Sequence, residues 1–381
     1  MSRVIKSGRA TAAVVLLATV QFIGACQPAE DQPGSLQTSV LALKEAYRIG
    51  DEAAGDSVLL GAVRGLAVDS RGQLYITDSG FEGIRVYSSD GVQVDQIGRE
   101  GRGPGEFART PTMRIGVGDS LYAWDSYAHQ LSIFAPHDHS FVSRLAVGLS
   151  ESDRLYPSEF LAATSRGFLL HYSPFFSAGS DELSSKHARV KLVDSNGTVV
   201  DESVAELPRR EGLAIATGNS VTAYGLPFAV SPHFAIGSTQ VLYYGSDDAI
   251  RIASLPLQGT NRGEFTVPIS PIPLTDAERE QTIAEAPDDF HGLLRERLPA
   301  VKPVFSRLVP DDAGRLWIEL TQREGEESRT WLIVDDAGIE IARASVPENV
   351  RLRVVQGSRA YGTMTDEATG APIVAAWDIL P

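Results

Sequence analysis

The chain has 381 residues, 43% hydrophobic, 22% charged and 8% aromatic, an ordinary globular balance with enough length for a large core. Lys and Arg number 34 against 49 Asp and Glu, giving a formal net charge of −15 at pH 7. That acidity excludes a nucleic-acid binder and a protein held to an anionic membrane surface by its own charge.

Arg3, Lys6 and Arg9 precede a mostly apolar run, Ala10 to Ile23, too short to span a bilayer comfortably. Residues 1–25 therefore read as a secretory signal rather than a transmembrane helix. Ile23-Gly24-Ala25-Cys26 resembles the lipobox of bacterial lipoproteins, in which the cysteine is lipidated and becomes the new N-terminus. Cys26 is the only cysteine, so it has no partner within the chain, and an unpaired cysteine in an exported protein asks for such a use. A soluble exported protein with an incidental cysteine is the alternative. Position 27 is Gln rather than the Asp that marks inner-membrane retention in enterobacterial lipoproteins, which favours the outer membrane, facing the periplasm or the cell surface. Loss of the leader removes three positive charges and no negative ones, so −15 becomes −18. Residues 26–39, with Pro28 and Pro33, read as a flexible tether.

Val40 to Ile49 reads as a lone strand. The stretch Gly65 to Phe107, GLAVDSRGQLYITDSGFEGIRVYSSDGVQVDQIGREGRGPGEF, follows. Leu66-Ala67-Val68 is an apolar run ended by the turn cluster Asp69-Ser70-Arg71-Gly72. Leu74-Tyr75-Ile76-Thr77 is rich in β-branched and aromatic residues and is broken by Asp78-Ser79-Gly80. Ile84-Arg85-Val86-Tyr87 alternates, Asp90-Gly91 gives a hairpin signal, and Val92-Gln93-Val94 returns. These hairpins predict a four-stranded antiparallel meander, which cannot bury both its faces alone. Arg99 to Phe107 is as glycine-rich as a phosphate loop but lacks the Gly-Lys-Ser/Thr ending, and no helix follows, so it reads as a crossover.

The pattern returns down the chain. Leu121-Tyr122-Ala123-Trp124-Asp125-Ser126 matches Leu74 to Ser79 at a spacing of 47 residues. A looser third block carries Phe168 to His171 and Lys191 to Gly197, and a fourth Val241 to Tyr244 and Ile250 to Ile252. Asp311 to Trp317 repeats Asp69 to Tyr75 closely, and Ile333 to Gly338 completes that fifth block. The sixth, Val350 to Leu380, has room for only three strands. Blocks recurring at roughly 40–70 residues mean a propeller or an array. The missing strand is available in Val40 to Ile49, and supplying it would remove the open edge of an array. The expected fold is all-β: a six-bladed β-propeller of four-stranded antiparallel blades over residues 40–381, its last blade closed by the N-terminal strand. A small helical insertion, residues 275–298, interrupts it. Thr275 and Glu278 form a capping box, Glu278 to Ala286 reads as one helix, and Phe290, Leu293, Leu294 and Leu298 share a face of a second. The insertion is either packed decoration or a lid over the channel mouth.

GLAVDSRGQLYITDSGFEGIRVYSSDG resembles an NHL-type repeat, and with Gly98 to Phe107 it is similar to the bacterial 6-bladed β-propeller family of exported proteins. The likeness is good over residues 61–135, fair over 235–345 and weak at 150–225. It implies a fold and an address more than an activity. Some six-bladed propellers, among them lactonases of the gluconolactonase and paraoxonase kind and amidating lyases, bind Ca²⁺ or Zn²⁺ at the channel. A metal-dependent hydrolase or lyase is thus the alternative to a binding or scaffold module, and Ca²⁺ or Zn²⁺ is expected only under it. Gly-x-Ser-x-Gly and His-Glu-x-x-His are absent. His137-Asp138-His139 aligns with a hairpin tip and reads as a solvated turn, His171 and His187 as polar flanks of a loop, and Glu324 to Glu327 as an exposed tip.

Laid over each other on the Leu74 turn, the blocks put Thr112, Glu159, His233, Arg307 and Arg351 at the place of Gly65. They put Arg114, Leu161, Ala235, Val309 and Arg353 at that of Ala67. Residues two apart on a strand share a face, and in a ring the starts of the inner strands converge on one mouth. Arg114, Glu159, His233, Arg307, Arg351 and Arg353 are therefore the candidate site, a solvated rim being the alternative. Arginine grips carboxylate, sulfate or phosphate, so the expected partner is a small anionic ligand or the acidic segment of an envelope protein. Arginine beside a divalent cation is unfavourable, which weighs against the enzyme alternative.

Overall fold

The apolar runs named above fall in strands in the computed structural model, which describes residues 39–51, 58–149, 155–174, 186–217, 220–259, 262–366 and 369–381. The leader, Cys26 and the tether up to residue 38 lie outside the described residues. Strand β1 (Ser39–Ile49) is followed by blade 1, β2 (Val63–Val68), β3 (Leu74–Asp78), β4 (Phe81–Tyr87) and β5 (Gln93–Ile97). Blade 2 is β6 (Thr112–Ile115), β7 (Leu121–Asp125), β8 (Gln130–Phe134) and β9 (Phe141–Ala146). Blade 3 is β10 (Leu155–Thr164), β11 (Gly167–Pro174), β12 (His187–Val193) and β13 (Val199–Pro208). An extra hairpin, β14 (Gly212–Thr217) and β15 (Ser220–Gly225), precedes blade 4, which is β16 (Pro232–Ile236), β17 (Val241–Ser246), β18 (Ile250–Pro256) and β19 (Gly263–Val267). Helices α1 (Asp276–Glu285) and α2 (His291–Arg297) come next. Blade 5 is β20 (Phe305–Pro310), β21 (Leu316–Leu320), β22 (Ser328–Val334) and β23 (Glu340–Pro347), and blade 6 has β24 (Arg351–Gln356), β25 (Arg359–Thr365) and β26 (Pro372–Leu380).

The N-terminal strand closes the ring. Ala42 to Ile49 of β1 pair antiparallel with Leu380 to Val374 of β26, as expected. The start of β1 adds a link that the repeat pattern did not show: Ser39, Val40 and Leu41 pair parallel with Ala342, Arg343 and Ala344 of β23. One strand therefore staples blade 6 to blade 5. Inner strands β2, β6, β10, β16, β20 and β24 pack in that cyclic order, and β24 returns against β2.

The core lies between the blades. Ala67, Tyr75 and Ile84 of blade 1 pack with Met113 and Leu121 of blade 2; Tyr243 and Ile250 of blade 4 pack with Phe305 and Ile318 of blade 5; Trp317 and Trp331 of blade 5 pack with Leu352 and Ala360 of blade 6. Each sheet has a neighbour on either side, so β3 is buried at every position. That explains continuous apolar runs where a half-exposed sheet would alternate.

The Asp-x-x-Gly signature builds the turns. Asp69, Asp194, Asp311 and Asp335 each accept two backbone N–H groups of their own turn at 2.8–3.0 Å. The glycines that follow, Gly72, Gly197, Gly314 and Gly338, sit at φ of 78–86°, where a side chain is strained. A second repeated aspartate fixes the entry to the inner strand: Asp78, Asp125 and Asp247 take the N–H groups of Gly61, Ala108 and Ser231 at 2.7–2.8 Å. The crossover after blade 1 is knit by its own side chains. Glu106 accepts from the Gly103 N–H at 2.8 Å and pairs with Arg99 at 2.8 Å, while Phe107 is buried.

Two histidine readings need correction. His139 is no solvated turn residue; its side chain is 6% exposed, its ring bonded at 3.0 Å to the Tyr75 hydroxyl and at 2.7 Å to Asp95. The turn folds it back against blade 1, so the polar pair joins two blades. His171 does not face solvent either. Its Nδ1 is 3.1 Å from the Ser158 hydroxyl and its ring 4.9 Å from that of Phe234.

The insertion has the capping box at Thr275, and α1 begins two residues before Glu278 because the cap, not the apolar face, sets its start. Ile283, Phe290, Leu294 and Leu298 pack on Leu213 and Leu226 beside the extra hairpin. None of the insertion's described residues lines the channel. Its apolar face is filled by the hairpin, and it is packed decoration.

Candidate functional site

The inner strands enclose an axial channel of about 540 Å³. At the end where these strands begin it is lined by Arg64, Arg114, Glu159, Arg307 and Arg353. Leu66, Met113, Leu161 and Val309, which belong to the cores between blades, give it apolar wall along the inner strands, and turns bearing Ser70, Asp119 and Gln240 line the far end. Four of the six residues chosen from the repeats, Arg114, Glu159, Arg307 and Arg353, thus line one cavity.

The two others do not line it. His233 bonds Asp247 through Nε2 at 3.0 Å, and its ring lies 4.8 Å from that of Phe305. Asp247, which fixes the strand entry, takes the imidazole with it. Arg351 donates from Nη1 to the backbone carbonyl of Glu348 at 2.5 Å. The equivalence of Arg353 with Ala67 also fails. Val354, not Arg353, stands opposite Tyr361, as Ala67 stands opposite Tyr75, because the register shifts between Leu352 and Val354. Arg353 is a bulge residue, and bulges re-aim side chains. Arg64 stands at a bulge of β2 nearer the strand start, between Val63 and Gly65. The repeat alignment missed it by one position.

The arginines are compensated unequally. Arg114 donates from Nη2 to Glu159 at 2.7 Å, in a pair whose side chains are 35% and 41% exposed. Arg307 shares its carboxylate. Glu319, 1% exposed, bonds Arg329 Nη1 at 2.9 Å, while the Nε of Arg307 stands 3.5 Å from its other oxygen. That Nε is buried and not aligned for a hydrogen bond, and the buried Nε of Arg353 likewise finds no acceptor among the described residues. Burial, and next the positive neighbour Arg329, lower the Arg351 guanidinium from its ordinary range; burial and then Arg307 do the same to Arg353. Glu319 and Arg329 were missed by the sequence reading. A glutamate inside Leu316-Trp317-Ile318-Glu319-Leu320 was the available signal, since a buried charge asks for a partner.

Among the described residues, no three His, Cys, Asp or Glu side chains converge to hold a metal ion.

Residues 54–243 match the model of a family described as 6-bladed beta-propeller. None of the curated proteins matches the sequence. Among solved structures, a member of the duf4221 family from Bacteroides vulgatus is 7% identical, with 89% of this chain and 98% of that chain covered and a TM-score of 0.50. An exported protein from Bacteroides fragilis is 12% identical over 89% and 99% of the two chains, TM-score 0.48. A gluconolactonase from Xanthomonas campestris is 13% identical over 89% and 97%, TM-score 0.43. At 7% identity the likeness to the first of these is one of fold alone. With its blades, its ring closure and the match over residues 54–243, the chain belongs to the 6-bladed β-propeller family.

Proposed function

We propose that this propeller is a binding module that holds a small anionic ligand at the arginine-lined end of its channel. The observation that carries the reading is the convergence of Arg64, Arg114, Arg307 and Arg353, from four blades, on one end of a 540 Å³ cavity. The volume is that of a small-molecule site. A positive patch in a chain of net charge −15 focuses field at the mouth and draws anions to it. The ligand's acid is gripped by guanidinium forks, while the apolar wall along the inner strands accepts an uncharged body.

Titration calorimetry of the chain from Ser39 with citrate, at low and moderate salt, tests this. One citrate per chain is expected, weakened at least about tenfold when Arg64, Arg114, Arg307 and Arg353 are all changed to Gln. Absence of binding, or binding indifferent to the four changes, defeats the proposal. If only an acidic peptide binds, the ligand is a protein segment instead.

The proposed address is the cell envelope: export by residues 1–25, lipidation at Cys26 and anchoring in the outer membrane. The basic leader, the apolar run and Ile23-Gly24-Ala25-Cys26 support it. Cys26→Ser is expected to release the protein from the membrane fraction or block its processing. An unchanged membrane fraction would sink the anchor.

A further inference from the structure

We propose that Arg307 and Arg353, set beside the buried Glu319–Arg329 pair at the junction of blades 5 and 6, form a subsite for one phosphate-type divalent oxyanion. The inference rests on the reading of the channel as an anion site and names the chemistry of its charged end.

Charge comes first. Arg307 and Arg329 both reach Glu319. Arg329 and Arg351 both donate to the Glu348 carbonyl, at 3.0 and 2.5 Å. Arg353 belongs to the same strand as Arg351 and lines the channel with Arg307. Arg307, Arg329 and Arg351 thus gather about one buried carboxylate, and Arg353 adds its charge beside Arg307. Burying like charges without counter-charge is costly, and buried charges are as a rule paired. The cluster is short of negative charge by more than one unit, so a monocarboxylate would leave it cationic and a dianion would nearly neutralise it.

Donors come second. The Nε–H of Arg353 is buried and finds no acceptor among the described residues, and that of Arg307, also buried, faces Glu319 Oε2 at 3.5 Å without the alignment of a hydrogen bond. Orphaned buried donors are rare, and each asks for an unseen partner. They stand on neighbouring inner strands, β20 and β24, which pack together. A planar carboxylate offers two oxygens along one edge. A tetrahedral phosphate offers three or more, in directions that can meet donors arriving from two strands. The lowered range of Arg353 agrees with this: an anion beside it and Arg307 would restore it.

The phosphate could be free or the head of a monoester whose body lies along the apolar wall of the channel, so the experiment carries both. The chain from Ser39 is titrated with inorganic phosphate, phenyl phosphate and acetate at pH 8, as wild type and as Arg353→Gln, Arg307→Gln and Arg353→Lys, with Arg323→Gln at the exposed hairpin tip as control. Arg353 has no carboxylate partner among the described residues, so its removal orphans no acid, and circular dichroism verifies folding. The expected result is one phosphate per chain, with acetate at least about tenfold weaker. Arg353→Gln and Arg307→Gln should each weaken phosphate about tenfold or more, and Arg353→Lys should recover part of the loss by keeping charge without the fork. Tighter phenyl phosphate identifies a monoester as the ligand class; equal or weaker binding identifies the free anion. Acetate binding as well as phosphate, or phosphate indifferent to Arg307→Gln and Arg353→Gln while Arg114→Gln weakens it, overturns the subsite and leaves the binding module standing. Failure of citrate, phosphate and acetate alike overturns the binding module itself.

Discussion

The two sides of the channel mouth solve one problem differently. On the side of blades 2 and 3, Arg114 and Glu159 form an accessible pair with one charge of each sign. On the side of blades 5 and 6, arginines crowd a single carboxylate that is almost wholly buried. The difference teaches that a repeated position fixes where a side chain stands, not whether its charge is spent. The first side is neutral in itself. The second keeps unspent charge, and it belongs to the two blades whose outer strands are joined by the seam that β1 makes.

Removing that seam should have the largest effect. A chain beginning at Asp51 lacks β1 and leaves the edge of β26 open. Ile49 is buried, and Leu41, Leu43 and Tyr47 pack on the clusters of blades 5, 6 and 1. Full burial of a side chain such as Ile49 stabilises by roughly 1.5–3 kcal/mol and partial burial of the other three by less, together a large share of a domain's stability. The truncated chain should lose its cooperative thermal transition. A melt matching that of the chain from Ser39 would show that the seam is dispensable and the two sides are alike in their support.

Next is Glu319→Gln. It leaves Arg329, whose side chain is 13% exposed, without its carboxylate, a change that costs about 3–5 kcal/mol for a buried pair, while the more open Arg307 adds little. Urea unfolding measures it, and added phosphate should return part of the loss. A cost under about 1 kcal/mol, the range of a surface pair, would erase the distinction between the sides.

Much of this was legible in the sequence because the repeat carries its own reasons. Asp69 and Gly72 recur as Asp311 and Gly314 since the same turn needs an N–H acceptor and a positive φ. The short last block told that a strand was missing, and the chain end supplied it. The site was legible only where register held. Arg114 and Arg307 fell into place by counting from Leu74, whereas Arg353 and Arg64 stand at bulges, and a bulge adds a residue without a mark in the apolar pattern. The staple between β1 and β23 was hidden for another reason: parallel pairing between blades leaves no hairpin signal. The extra hairpin lies where the repeats are weakest, and its apolar residues pack on α1 and α2, not on a blade. His139 misled because a turn position says nothing of where the side chain folds back.

A smaller effect belongs to the Glu159 side. His171 pairs with Glu159 across β10 and β11, and its Nε2 is buried without an acceptor among the described residues. Burial lowers the imidazole from its ordinary value, against the opposing pull of Glu159. The unfolded chain takes up that proton near pH 6.5. Below this pH it holds a proton that the folded chain lacks, so stability falls as pH drops from about 6.5, by at most about 1.4 kcal/mol per pH unit. Above pH 6.5 the contribution is fully present. His171→Gln should flatten the stability profile between pH 7 and 5 relative to wild type; identical profiles would mean that the ring protonates freely in the fold.

The smallest change in stability, and the one that separates the sides most cleanly, is Glu159→Gln. Its pair with Arg114 is more than a third exposed on either partner, so solvent screens the attraction and its loss should cost about 0–1 kcal/mol. The change nevertheless raises the charge of the mouth by one unit and frees the Arg114 guanidinium toward the channel it lines. Anion affinity should therefore rise severalfold, with stronger dependence on ionic strength, while the urea midpoint barely moves. Glu319→Gln also adds one positive charge to the same mouth, but takes it from the buried framework that holds the arginines. There the midpoint should drop, and any gain in affinity should be masked by loss of the folded state unless phosphate is present. Measured side by side, the two substitutions carry equal charge and differ only in burial. If both raise affinity without loss of stability, the carboxylate of Glu319 is no more structural than that of Glu159, and the division of the mouth into a spent and an unspent side fails.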